Sequence, residues 1–182
     1  ISGSSNLAVD AHAGLLYHAA PSEAFNFYIG GACYHLLQPE ISFLSNSAYR
    51  LSPRYVGHAG AMIQLSRLLN LLPSAVVYHQ GRARQINAGA YLQFVLNDDD
   101  YEELTAFSLG AWTRVATPLP DAVIIGARMD YWNFVLSLSY DVNISRLTSA
   151  SKSRGAYEVA LIYIGTFVTR GQRRLMMPCP QL

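Results

Sequence analysis

One regularity limits this chain more than any other. Large apolar residues recur at every second position through nine separate segments, and away from the segment ends those positions hold no Asp, Glu, Lys or Arg. The run Trp132-Asn133-Phe134-Val135-Leu136-Ser137-Leu138-Ser139-Tyr140-Asp141 is the clearest, with bulky groups on even numbers and Asn, Ser or Asp on most odd ones. Tyr157-Glu158-Val159-Ala160-Leu161-Ile162-Tyr163-Ile164 repeats the habit with its single charge on one parity. A period of two belongs to a β-strand, whose successive side chains point to opposite faces. Each segment therefore has one apolar and one mixed face.

The nine segments are Leu7–His18, Ala24–His35, Arg54–Leu65, Leu72–His79, Arg84–Leu96, Leu104–Arg114, Ala122–Met129, Trp132–Val142 and Gly155–Phe167. Leu72–His79 has the weakest contrast between faces. A helix over Ala61–Leu72 is the competing reading there, on the spacing of Met62, Leu65, Leu68, Leu69 and Leu72. Gly57 and Gly60 ahead of it, Pro73 behind it and a turn-like Arg67–Asn70 argue against it. On the mixed parity lie Asp10, His12, His58, Arg114, Arg128, Asp141 and Glu158, among many Gly, Ala and Ser. These seven are the expected polar network of a narrow lumen, where small neighbours leave room for ion partners.

Composition says what the apolar face meets. Hydrophobic residues make up 51% and charged residues only 14%, against about 25% charged in soluble globular domains. The longest stretch free of Asp, Glu, Lys and Arg, Ala24–Pro39, is broken by glycines and falls short of the roughly 18 apolar residues of a membrane helix. A tilted transmembrane strand needs about 9–11 residues, which most of the segments supply. A charge turned toward lipid would cost about 2–4 kcal/mol at mid-depth, which explains a parity without charge. The fold class that follows is all-β, an antiparallel up-and-down transmembrane β-barrel. A soluble sandwich with one wet face is the alternative. Aromatics near segment ends, Tyr17, Tyr34, Tyr55, Tyr78, Trp112, Trp132, Tyr140 and Tyr157, suit an interfacial girdle.

The connections suggest an orientation. Ala19–Glu23, Ser66–Leu71, Asn97–Glu103 and Asp130-Tyr131 are short, whereas the alternate links include Leu36–Pro53 and Asn143–Arg154. Short periplasmic turns and longer external loops would place the second set outside. By that count the first strand starts at the outer surface, so an odd number of strands would precede Ile1 in a complete barrel. Residues 1–168 then form barrel strands, the C-terminal part of the barrel, and residues 169–182 a periplasmic tail.

Few residues suggest other chemistry. A net charge of +1 gives no electrostatic case for nucleic acid. Asp10, His12 and Ser139 or Asp141 carry no nucleophile motif, so no catalytic residue is expected. The run Asp98-Asp99-Asp100 with Glu102-Glu103 could hold calcium or be a solvated acidic turn, and its spacing is not that of an EF-hand. No metal or cofactor is assigned. Gly81-Arg82-Ala83-Arg84 and Ser151-Lys152-Ser153-Arg154 lie in external links, within reach of phosphates or an acidic partner. In the second, Asn143, Arg146, Lys152 and Arg154 form a candidate partner-binding loop. Cys33 reads as a small apolar residue, and a disulfide to Cys179 stays open.

The landmarks Phe27-Tyr28-Ile29-Gly30-Gly31, His35-Leu36-Leu37-Gln38-Pro39, Pro53-Arg54-Tyr55 with His58-Ala59-Gly60, and Pro73-Ser74 through Tyr78 follow one another along the chain. Gln85-Ile86-Asn87, Leu109-Gly110 with Trp112-Thr113-Arg114, and Asp121-Ala122-Val123 come next. Ser139-Tyr140-Asp141-Val142, Ser145-Arg146-Leu147, Glu158-Val159-Ala160-Leu161 and Pro178-Cys179-Pro180 close the series. In this order they resemble the C-terminal portion of the PorP/SprF family, outer-membrane proteins of type IX secretion and gliding motility. Arg154-Gly155-Ala156-Tyr157-Glu158 departs from the family's Gly-Ser/Gly-His-Glu pattern. The family's Asn-Pro-Ala-Tyr-rich N-terminal segment has no counterpart here. The resemblance implies a Gram-negative outer-membrane location and a barrel of about fourteen strands, nine of them in this chain. It also implies surface display of a secreted adhesin or other type IX cargo, contact with periplasmic or lipoprotein components of the machinery and with outer-membrane lipid, and no enzymatic activity. A porin-like diffusion channel is the alternative function.

Overall fold

A computed structural model describes residues 9–41, 49–96, 105–116, 119–144 and 155–165. Eleven strands follow in chain order: β1 Ala13–Ser22, β2 Phe25–Tyr34, β3 Glu40–Ile41, β4 Tyr49–Arg50, β5 Arg54–Ser66, β6 Leu69–Gln80, β7 Ala83–Val95, β8 Thr105–Ala116, β9 Leu119–Tyr131, β10 Phe134–Asn143 and β11 Ala156–Tyr163. Nine form one antiparallel sheet in the order β1-β2-β5-β6-β7-β8-β9-β10-β11, each strand beside its predecessor in that series, and β3 with β4 makes a separate two-stranded ribbon. Among the described residues there is no helix, and β1 and β11 do not meet. The Ala61–Leu72 segment is the end of β5, a two-residue turn at Arg67–Leu68 and the start of β6.

The strands hold the parity read from the sequence. In β10 exposure alternates along the strand, with Phe134, Leu136, Leu138 and Tyr140 exposed and Val135 buried. The same apolar face continues through Leu15, Tyr17, Ile29, Tyr55, Val77, Ile86, Leu92, Leu109, Ile125, Val159 and Leu161, all exposed. Among the described residues few are buried, and Ala106, Ala122, Val135, Asn70, Gln93, Ser108 and Asp130 lie on the other face. A single-layer sheet buries one face only by bending over it. Contacts that skip a strand report that bend: Trp112 on β8 donates its indole N–H to Ser74 Oγ on β6 at 3.2 Å, and Arg114 on β8 reaches Asp141 on β10 at 2.5 Å. The mixed face is therefore concave, and the apolar face is turned outward.

Aromatics on the concave face stand directly across from glycines. Tyr28 pairs with Gly60, His58 with Gly30, Trp112 with Gly89 and Tyr91 with Gly110. Trp112 and Tyr91 pack edge to face, with ring centroids 4.3 Å apart. A Cβ on Gly89 would run into the Ala111 carbonyl oxygen and the Trp112 ring, and one on Gly110 would come 2.5 Å from Trp112 Cη2. The missing side chains let each ring lie against the wall. Trp112 thus belongs to the interior and not to the end girdle its position suggested.

Several boundaries differ from the sequence reading for local reasons. The first strand starts at Ala13 instead of Leu7, and ahead of it Asp10 Oδ1 accepts the Ala11 backbone N–H at 2.8 Å. The expected Asp130-Tyr131 turn is the end of β9. The turn is Trp132-Asn133, with Trp132 at φ 60°, and Gly81 at φ 59° plays the same part between β6 and β7. A positive φ at the first central residue of a two-residue loop is the type II′ pattern that matches strand twist. That second link is as tight as those at the other end, so the length asymmetry between ends rests on the connections after β2 and β10. Pro73 sits in central strand β6 where pairing with β5 lapses between Ser74 and Leu71, so its missing N–H faces a gap. Residues 97–103, 145–154 and 169–182, and with them the acidic run, most of the second external link, the tail and Cys179, lie outside the described residues.

Gly89→Ala is expected to destabilise the folded protein by about 1–3 kcal/mol in urea titrations in lipid vesicles, since it overpacks against backbone. Gly57→Ala, where a Cβ meets nothing within 4 Å, should change stability by less than about 1 kcal/mol.

Candidate functional site

The seven expected lumen residues, Asp10, His12, His58, Arg114, Arg128, Asp141 and Glu158, fall on the concave face or its rim, where they form separate groups rather than one network. The largest centres on Arg114 of β8. Its Nε donates to both oxygens of Asp121 at 3.2 and 3.1 Å, and its Nη1 donates to Asp141 Oδ2 at 2.5 Å. The three side chains keep about a quarter of their exposure, so the dielectric is intermediate and two charge-assisted pairs outweigh the cost of desolvating one guanidinium. The group carries one positive and two negative charges.

Asp121 was not among the expected lumen residues, and the reason is a β-bulge. Arg114 pairs with Ala122 and Val115 with Pro120, leaving Asp121 as the extra residue on β9. Regular alternation would send an odd-numbered β9 side chain outward with Val123 and Ile125. The bulge re-aims it onto Arg114. Its carbonyl oxygen also accepts the Ile144 N–H at 2.8 Å, which fixes the end of β10 beside Asn143. Arg146, Lys152 and Arg154 lie outside the described residues.

Arg128 bonds Asp130 two residues on, Nε to Oδ1 at 2.9 Å and Nη2 to the same oxygen at 2.5 Å. Spacing of two puts both on one strand face, a signal present in the sequence but not drawn from it. Both side chains are well buried. Arg128 belongs to a polar row that crosses the sheet in register, from Gln64 through Asn70, Gln93 and Ser108 to Arg128 and Ser137. Within it the Asn70 amide donates to Gln93 Oε1 at 3.0 Å. His58, between Gly30 and Val76, packs 5.8 Å from the Tyr28 ring. Glu158 is exposed on β11, opposite Ser139.

The third group lies at the start of β1. Asp10 Oδ2 is 2.5 Å from His35 Nδ1 and 4.0 Å from His12 Nε2, and the His35 backbone N–H donates to His12 Nδ1 at 3.2 Å. Burial pushes the Asp10 carboxyl up. The hydrogen bonds from His35 and the Ala11 N–H, with the nearby charges of His12 and His35, more than reverse this and leave it below the ordinary aspartate value. His35 joins the group through a left-handed backbone, φ 59°, which nothing in its sequence position announces. Asp10 and His12 do not assemble with Ser139 or Asp141 in this sheet, since β1 and β10 lie toward its opposite edges.

The arrangement suits ion pairing and wall packing more than bond chemistry. A sequence model of the family described as type IX secretion system membrane protein PorP/SprF matches residues 1–163. No curated protein and no solved structure matches.

Arg114→Met should destabilise by about 2 kcal/mol, less than the 3–5 kcal/mol of a fully buried pair, because it strands two partly buried carboxylates. Adding Asp121→Asn and Asp141→Asn to that variant should restore part of the loss in the same urea titration. Additive losses would show that the ion group does not act as a unit.

Proposed function

The chain belongs to the PorP/SprF family of type IX secretion system membrane proteins, and from that premise we propose that it supplies nine strands to an outer-membrane β-barrel that secretes or anchors a secreted adhesin at the cell surface. The observation that carries the membrane part is the inverted sheet, with exposed Leu, Ile, Val and Tyr on the outward face and ion pairs and amides on the concave one. Water would penalise that arrangement, whereas hydrocarbon favours it. A barrel of about fourteen strands would pair the free edges of β1 and β11 with further strands.

The partner reading rests on the links at the end of the sheet where β2 gives way to β5 and β10 to β11. The link containing Asn143, Arg146, Lys152 and Arg154 offers guanidinium and ammonium donors suited to an acidic face of an adhesin or other type IX cargo. Residues 169–182, with Arg170, Arg173 and Arg174, would meet a periplasmic or lipoprotein component from the opposite side. The role is binding and passage without catalysis. The Arg114 group favours a second reading, a diffusion channel, because a cluster of fixed charge on a concave wall can set ion selectivity.

Three measurements test these readings. Leu138→Arg, on the outward face, should cost about 2–4 kcal/mol in vesicles while Ser139→Arg, on the concave face, costs less. Equal costs would sink the lipid-facing assignment. Full-length protein in planar bilayers should give no steady conductance without cargo, and a persistent open current would favour the channel. A secreted adhesin domain should be retained by the protein and released when Asn143–Arg154 is deleted.

A further inference from the structure

We infer that Asp10, His12 and His35 bind a divalent transition ion of the zinc class at the rim of the sheet. One oxygen of Asp10 and one nitrogen from each histidine lie within 4.8 Å of one another. Carboxylate with two imidazoles is a donor set that zinc accepts, and three protein ligands leave a fourth position for water. Bonds of about 2.0–2.2 Å at tetrahedral angles set two donors on one ion about 3.4 Å apart. Binding must therefore swing the half-exposed His12 ring inward and open the Asp10–His35 pair from 2.5 Å by about an ångström.

The backbone brings these donors together from two segments. Asp10 and His12 are two residues apart just ahead of β1, their side chains 4.0 Å from each other, and Leu36 N–H bonds the Ala11 carbonyl at 3.1 Å, which carries the β1–β2 pairing out to the rim. His35 gives up ordinary backbone geometry to aim at Asp10. The His12 ring lies 5.2 Å from Tyr34 and 5.5 Å from His35, edge-on to the latter, so rings wall the site on one side and leave His12 open to solvent on the other. Ligation through His12 Nε2 moves that ring's proton to Nδ1 and gives up the bond from the His35 amide. The His35 proton moves likewise to Nε2 when Nδ1 becomes a ligand. The ion would fasten the start of β1 to the base of the long connection that runs from His35 to β5.

Chelator-stripped full-length protein in detergent, titrated with zinc chloride by calorimetry, is expected to bind one ion per chain, with a matching rise in its unfolding temperature. Cobalt(II) in the same protein should give visible absorption of a histidine-ligated low-coordinate site. His12→Ala should weaken binding at least roughly tenfold, as loss of a direct ligand exceeds the cost of losing a supporting residue. His35→Gly is the sharper variant, because glycine accepts φ 59° without strain and the fold persists without the ligand. It should abolish both the cobalt spectrum and the zinc-dependent rise. Wild-type protein that binds no zinc, or variants that bind it as tightly as wild type, would overturn the assignment.

Discussion

The outward orientation of the apolar side chains is the constraint on which everything else in this structure rests. Removing a Leu, Ile or Val side chain from water contributes about 1.5–3 kcal/mol, and a soluble sheet collects that by packing the apolar face on a second layer. Here a second layer is absent among the described residues, and the only buried hydrophobics are Ala106, Ala122 and Val135. On the proposed placement in a bilayer, lipid chains would take the place of a core. The sheet must supply rigidity by other means, through continuous strand pairing and through contacts on the concave face.

Those contacts divide the concave face into kinds of work. Aromatic rings laid over glycines, Tyr28 on Gly60 and Trp112 on Gly89, fix register, because shifting a strand by one residue would take each ring off its glycine and turn it to the outward face. In the row from Gln64 to Ser137 the Asn70 amide donates to Gln93, while the buried Ser108 hydroxyl of the same row meets no partner among the described residues. The Arg114 group holds three successive strands, with each pair strengthened by surroundings of lower dielectric than water. Polar ties of this sort are expensive to leave half-made.

Period two made most of this legible. The nine main strands, their order as neighbours and the face of His12, His58, Arg114, Arg128, Asp141 and Glu158 all follow from counting by twos. What escaped depends on departures from that count. Asp121 changes face at a bulge, His35 reaches Asp10 through a positive φ, and Trp132 moves a turn by two residues. Trp112 failed differently: proximity to a strand end suggested an interfacial ring, while its parity with Arg114 and Gly110 already placed it inside. Parity was the better guide, because it reflects the pleat, whereas distance from a run's end reflects an uncertain boundary.

The edges carry the last consequence. Leu16 on β1 and Ile162 on β11 have the concave-face parity, yet they are 49% and 37% exposed, whereas Val135 at the same kind of position within the sheet is 5% exposed. The difference is the missing neighbour on one side. On the proposed placement in a bilayer, the outer rows of N–H and C=O groups on β1 and β11 would also face hydrocarbon, at several kcal/mol for each group left unpaired. Pro21 near the end of β1 removes one donor, while Leu15, Tyr17, Tyr157 and Val159 carry no charge where a protected edge would. Strands built this way are made to be paired, and the same pairing that satisfies their backbone would cover Leu16 and Ile162.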